Sequence, residues 1–82
     1  MTFRVHVSLK NTVLDPQGQT ICSALKGHGH PSIANVRQGK FFDLQIAPGV
    51  ALQQAQAEVD LIARDVLTNP VIEEFRIECV EQ

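Results

Sequence analysis

Apolar side chains tend to alternate with polar ones in three stretches of this 82-residue chain, residues 3–9, 33–47 and 71–80. In the first stretch every odd position is apolar and every even position is polar. In the last, Phe75 and Ile77 alternate with glutamate and arginine. Because strand side chains point alternately to the two faces of a sheet, this period predicts strands with one buried face and one solvated face.

The middle stretch allows more than one arrangement. Within 33–47 an even-numbered set of apolar residues runs through the whole stretch, namely Ala34, Val36, Phe42, Leu44 and Ile46. A tight two-residue hairpin at positions 38–39 would turn them to the wrong face. The parity fits one long strand, bent or bulged at Gly39, and it also fits an odd-length loop. One strand of about 13 residues exceeds the usual 5–6, so its unpaired edges are expected to pair with another copy.

A helix is predicted to begin within the sequence LDPQG. Asp15 can accept hydrogen bonds from free backbone N–H groups, and Pro16 suits the first helical position because its missing N–H costs nothing there. Gly27 is a natural helix end. Gln17 and Gly18 have no such local explanation, since glycine is a poor helix former.

A second, longer helix is predicted over residues 51–68. Its apolar residues recur at helical spacing, and Asn69 and Pro70 end it; they are Leu52, Ala55, Val59, Ile62, Ala63 and Val66. The resulting order is β-α-β-α-β in a single domain, residues 1–82. It predicts an α+β sandwich related to the ferredoxin-like plan, with two helices on one face of a mainly antiparallel sheet.

Composition restricts the class of partner. The net charge of −2, with no Trp or Tyr, argues against a nucleic-acid or membrane surface. A chain of this length buries a thin core, which favours association with another subunit, either as a dimer or as a tetramer. Two isolated cysteines and a strand-like start, without an export signal, predict reduced thiols and a cytoplasmic location.

Residues that could carry chemistry do not form a catalytic set. His28 and His30 lack the further ligands that a tetrahedral metal site requires, so a solvated loop is predicted. Cys22 and Cys79 lie on apolar faces and are predicted to be packed in the core. The carboxylates at 73, 74 and 78 are predicted to be solvated edge or interface charges. We therefore expect no catalytic, cofactor-binding or metal-binding residues in this chain.

A modest basic group surrounds the predicted bend. Arg37 and Lys40 flank Gly39, and Lys26 is the other lysine of this group. The glycine spacing and the Ser or Thr of a phosphate-binding loop are missing. A solvated surface and a contact with a partner both remain open.

Four segments, in this order, resemble the PurS family, the small subunit of phosphoribosylformylglycinamidine (FGAM) synthase. They are VHVSLKNTVLDPQG (5–18), NVRQGKFFDLQI (35–46), the amphipathic helix and NPVIEEFRIE (69–78). The match runs nearly from end to end. The loop sequence KGHGHPSIA departs from the family pattern, so the histidine pair has no support from the resemblance.

The resemblance implies a role within a complex. Such a complex converts formylglycinamide ribonucleotide (FGAR), glutamine and ATP to FGAM. The PurQ subunit releases ammonia from glutamine, and the PurL subunit activates the substrate with ATP and Mg²⁺. A PurS subunit is expected to bridge the two and to assist ammonia transfer, without a cofactor of its own.

Two segments are predicted to contact partner subunits. They contribute Asp15, Pro16, Gln17 and Gly18 from the first helix, and Arg37, Gly39 and Lys40 from the predicted bend. A glycine near a helix start permits close approach of another backbone, and a glutamine offers both a donor and an acceptor. An alternative function is a small dimeric regulatory module that binds an amino acid or a similar ligand.

Overall fold

The computed structural model describes residues 1–81 of the chain. Within them the order is β-α-β-α-β, as the sequence predicts. The strands are β1 (Thr2–Leu9), β2 (Gly39–Gln45) and β3 (Glu73–Glu81), and the helices are α1 (Pro16–Gly27) and α2 (Leu52–Ile62), the second continued by a π-helical turn (Ala63–Leu67).

The strands of this part of the chain form an antiparallel sheet in the order β2-β1-β3. Val5 of the central strand pairs with Phe42 on one side and with Ile77 on the other. Directly opposed residues share a face, so this register gathers the apolar positions of all three strands on one side of the sheet. The predicted α+β class is confirmed.

Helix α2 covers the apolar face. Its buried residues Ala55, Val59 and Ala63 lie one turn apart and pack on β1. The two alanines leave room for the helix to approach the sheet closely. The rest of the predicted apolar stripe is more exposed, and Val66 is 74% exposed. The stripe was thus predicted too wide.

The opposite face of the sheet is polar. Arg4 forms an ion pair with Asp43 (Nε–Oδ1 2.8 Å), and His6 lies 2.9 Å from Glu78 (Nε2–Oε1). The hydrogen bond from Arg4 lowers the pKa of Asp43, and the bond with His6 lowers the pKa of Glu78. The Arg4 guanidinium also stacks 4.4 Å from the ring centroid of Phe41.

The prediction of one strand through residues 33–47 is wrong. Strand β2 begins at Gly39, and residues 33–38 belong to neither a strand nor a hairpin. The physical reason is that this segment bonds to α1 instead of to the sheet, since the N–H of Gln38 is donated to Asp15. The even parity continues through the segment although the strand does not.

Helix α1 stands apart from the core formed by the sheet and α2. None of its residues belongs to the buried cluster or to the partly buried side chains packed against that cluster. Helix α2 therefore lies on the face of the sheet that was predicted for both helices, whereas α1 packs outside that core.

The molecule is elongated. It measures 51 × 27 × 13 Å, and its radius of gyration is 16.3 Å. A compact chain of this length has a radius of about 12 Å.

Among residues 1–81, neither helix is long and apolar enough to cross a membrane.

Candidate functional site

Asp15 joins the start of α1 to the segment that leads into β2. Its Oδ1 accepts the N–H of Gly18 (2.9 Å), which is the predicted helix cap, and its Oδ2 accepts the N–H of Gln38 (2.7 Å). The residue is only 4% exposed. The hydrogen bonds from the backbone of Gln38 and Gly18 hold the pKa of Asp15 below its usual value. One carboxylate thus satisfies two distant parts of the chain.

Gly18 allows this junction to close. A Cβ atom at this position would lie 2.2 Å from the carbonyl oxygen of Val36 and 2.8 Å from Oδ2 of Asp15. Only glycine fits there without moving the backbone of the neighbouring segment. The close backbone approach expected from this glycine is present, and the approaching backbone belongs to the chain itself.

Arg37 holds the loop between β1 and α1. Its Nη2 donates to the carbonyl oxygens of Lys10 (3.0 Å) and Val13 (3.1 Å). These carbonyls are also near a local turn, in which the N–H of Val13 is donated to Lys10. The guanidinium therefore fixes the loop relative to residues 36–38.

Lys40 and its neighbour Gly39 begin strand β2. Gly39 pairs with Ser8, and a Cβ atom on it would lie 2.8 Å from the carbonyl oxygen of Val7. The ammonium group of Lys40 lies 3.9 Å from Oε2 of Glu73. The same side chain passes the ring of Phe42, with Nζ 5.7 Å from its centroid.

Several of the residues predicted to contact partners therefore meet in space. Asp15, Gln17, Gly39 and Lys40 line one cleft of about 230 Å³, and Pro16 is exposed at its neighbouring helix start. The cleft lies where β1 ends and where α1, β2 and β3 begin. Two segments far apart in sequence thus form a single surface.

Gly18 and Arg37 do not line this cleft. They hold its walls, Gly18 by admitting Val36 and Arg37 by bonding the loop after β1. Their effect on a partner would therefore be indirect.

Sequence reasoning missed Glu73 as a member of this surface. Its side chain is 17% exposed, and its Oε1 accepts the N–H of Asn69 (2.8 Å). At this exposure Glu73 is not the solvated edge charge of the prediction, and its alternative, an interface charge, stays a prediction. The sequence did contain one indication of this bond. Glu73 lies four residues after Asn69, where its carboxylate can accept a backbone N–H of the turn that follows the helical segment.

The cysteines and histidines lie elsewhere. Cys22 is buried, as predicted, and its Sγ approaches the carbonyl oxygen of Ile33 (3.8 Å). Cys79 is exposed, so the prediction of a core position is wrong. His28 and His30 are exposed, and within residues 1–81 no three His, Cys, Asp or Glu residues are grouped so as to hold a metal ion.

The fold and this surface define a class of protein. The groups gathered at the cleft are carboxylates, an ammonium group and amides held on a small α+β frame, an arrangement suited to binding. We therefore place the chain among small α+β binding modules.

Comparison with known proteins identifies the particular family. The family model described as "PurS: Phosphoribosylformylglycinamidine (FGAM) synthase" matches residues 2–81. The chain belongs to the PurS family, as the resemblance of its four segments predicts.

Individual relatives agree along nearly the whole chain. The chain is 47% identical to the PurS subunit of phosphoribosylformylglycinamidine synthase from Mycobacterium leprae over 73 residues, which cover 89% of this chain and 87% of that protein. The solved structure of Bacillus subtilis PurS has a TM-score of 0.78 and 36% identity, and the match covers 94% of each chain. A chain in the structure of PurLQS from Thermotoga maritima has a TM-score of 0.84 and 27% identity, with coverage of 94% and 93%.

Proposed function

We propose that this chain is the non-catalytic small subunit of an FGAM synthase complex, in which it bridges the synthetase PurL and the glutaminase PurQ. The observation that carries the proposal is the PurS family match over residues 2–81. It is supported by the similar chain in the PurLQS structure from Thermotoga maritima. The geometry agrees, since the surface around the cleft carries exposed side chains that can contact a partner protein.

The chemistry of the proposed complex lies on the partner subunits. PurQ releases ammonia from glutamine, and PurL uses ATP and Mg²⁺ to convert FGAR to FGAM in the cytoplasm. This chain holds the two subunits in the relative position that lets ammonia pass without escaping to solvent.

Self-association is part of the proposal. Helix α1 packs outside the core, and apolar side chains around it are exposed, with Leu14 64%, Ile21 40% and Ile33 38% exposed. An elongated chain with an uncovered helix gains stability when a second copy covers that helix. A dimer or a tetramer of this chain provides such a cover.

The surface around the cleft is the proposed contact with PurL or PurQ. Pro16, Gln17 and Lys40 are exposed and can touch a partner directly. Asp15 and Gly18 are buried and give that surface its shape. The residues predicted to contact partners thus divide into exposed side chains and the bonds that position them.

Reconstitution tests the bridging function. PurL and PurQ are mixed with and without this chain, and FGAM formation is measured with glutamine and, separately, with an ammonium salt as the nitrogen source. We expect the chain to raise the glutamine-dependent rate and to change the ammonium-dependent rate far less. An increase of the same size with both nitrogen sources would contradict the role in ammonia transfer.

A further inference from the structure

The cleft beside α1 is small and has a largely polar and charged lining. Its volume of about 230 Å³ lies below the 300–1,000 Å³ typical of pockets for drug-sized ligands. Ser8, Gln17, Gln38, Lys40 and Glu73 are among the residues that line it. A ligand with only a few non-hydrogen atoms and several polar groups would match this space.

Two opposite charges face each other across the cleft without a direct hydrogen bond. Oε1 of Glu73 is occupied by the N–H of Asn69, whereas Oε2 lies 3.9 Å from the ammonium nitrogen of Lys40. A charge-assisted N–H···O bond measures about 2.7–2.9 Å, so this pair is too far apart to form one. Lys40 is the more exposed partner, since its side chain is 56% exposed and that of Glu73 is 17% exposed.

Two amide side chains complete the lining. Gln17 and Gln38 lie at the cleft, and in the described part of the chain their side-chain amides have no hydrogen-bond partner. Each amide offers two donor hydrogens and an acceptor oxygen. They can therefore bind a polar group of either hydrogen-bonding character.

We propose that this cleft binds a free α-amino acid with a polar side chain, with Lys40 holding its carboxylate and Glu73 holding its ammonium group. Each charge of the ligand then lies beside the opposite charge of the protein, which gives two ion pairs between protein and ligand. The 3.9 Å between Nζ of Lys40 and Oε2 of Glu73 sets the spacing of these two pairs. Gln17 and Gln38 bind the ligand side chain.

The mixed charge of the cleft selects against simpler ligands. A plain anion attracted by Lys40 would also face the carboxylates of Asp15 and Glu73, and a plain cation would face Lys40. A ligand that carries both charges avoids this repulsion and also gains an ion pair with each charged side chain. Every group that the proposal uses belongs to this chain, so binding is tested without PurL and PurQ, which by the proposed function cover the same surface.

Titration of the purified chain tests the proposal. L-serine, L-asparagine and L-glutamine are added separately while amide resonances are followed by NMR. We expect saturable shifts at Lys40, Glu73 and Gln17 with at least one of them. 2-Aminoethanol, which lacks the carboxylate, and N-acetyl-L-serine, which lacks the ammonium group, should bind at least about tenfold more weakly.

Two conservative variants assign the binding groups. Lys40→Met keeps the aliphatic chain beside Phe42, and Glu73→Gln keeps an oxygen for the N–H of Asn69. Each is expected to weaken binding by about tenfold or more, because each removes one charged contact. Lys26→Met, a variant on the last turn of α1, should bind like the unmodified protein.

The results separate binding from adventitious ionic effects. No saturable shift with any of the three amino acids at concentrations up to about 10 mM overturns the proposal. Equal responses to sodium acetate and to the amino acids also overturn it, since they indicate an adventitious ion only. Neither result bears on the reconstitution with PurL and PurQ, which tests the bridging function separately.

Discussion

The carbonyl oxygen of Val36 occupies the space in which any side chain at position 18 would begin. A Cβ atom on Gly18 would lie 2.2 Å from that oxygen, far inside van der Waals contact. The helix start and the segment before β2 therefore approach as closely as two backbones can. Asp15 bonds both segments at this point, so the close approach and the hydrogen bonds reinforce each other.

Gly18→Ala should destabilise the fold because its methyl group forces the segment at Val36 away from α1. Overpacking of this kind costs about 1–3 kcal/mol, measured by urea unfolding at one protomer concentration. Gly27→Ala is the matched control in the same helix, since a Cβ atom there meets nothing within 4 Å. It should be neutral or slightly stabilising. Equal losses in the two variants would contradict the steric explanation.

Capping and helix-start rules predicted correctly where α1 begins, but they did not predict that this start also contacts the segment before β2. Asp15 and Pro16 have the cap and first-turn roles that their residue types indicate. Nothing near Gly18 in sequence indicates that residue 36 lies against it. Contacts between segments so far apart depend on tertiary structure, which periodicity and capping rules do not describe.

Acid should weaken the junction formed by Asp15. Its folded-state pKa lies below its ordinary value of 3.8, so the ionised carboxylate stabilises the fold. That stabilisation is fully present above the unfolded-state pKa and is lost as the pH falls through the folded-state value. The free energy of unfolding should therefore decrease as the pH falls through 3.8 and below it.

Asp15→Asn isolates this contribution. The difference in unfolding free energy between the unmodified chain and the variant should be largest near neutral pH and should shrink as the pH falls below 3.8. Asp65→Asn is the control, because this carboxylate is exposed and is paired with Arg64, at 3.7 Å, without a bond to a distant segment in the described part of the chain. If the difference in unfolding free energy for Asp15→Asn stays constant with pH, the variant loses hydrogen-bond geometry and the charge of the carboxylate does not contribute.

The core around β1 was predictable because its periodicity and its burial coincide. Alternation placed Phe3, Val5 and Val7 on the buried face, where the structure has them. Ala34 and Val36 continue the even parity of strand β2 without being in a strand, since the residues that follow them bond Asp15 and the loop before α1. Parity records which face a strand would bury, and it cannot show where pairing stops.

Replacing an exposed apolar residue of α1, or of the loop before it, with a charged residue should disrupt self-association. Burial of a leucine or isoleucine contributes about 1.5–3 kcal/mol, so Leu14→Glu or Ile21→Glu should raise the dimer dissociation constant by about tenfold or more. Analytical ultracentrifugation measures this constant. Gln19→Glu adds the same charge to an exposed polar position of α1 and should have little effect. A monomeric unmodified chain at micromolar concentration would refute self-association itself.

Partner binding provides a separate test of the surface at the cleft. Gly18→Leu combined with Lys40→Glu should weaken association with PurL and PurQ, since the first substitution displaces the segment at Val36 and the second reverses a charge beside Glu73. Lys40→Glu alone changes the surface without this backbone clash and should still weaken association by about tenfold. Lys26→Glu carries the same charge change and is the control, because Lys26 lies in the last turn of α1 and does not line the cleft, unlike Lys40 of the same basic group.

The affinities should be measured by interferometry with the reconstituted subunits, at more than one ionic strength. If Lys40 makes a contact, the affinity of the unmodified chain for its partner should decrease as the salt concentration rises. The loss of affinity caused by Lys40→Glu should become smaller at high salt, because screening reduces both attraction and repulsion. If Lys40→Glu and the double variant bind PurL and PurQ as tightly as the unmodified chain does, the partners dock on another face. The cleft would then be free in the assembled complex, where its amino acid binding could be measured directly.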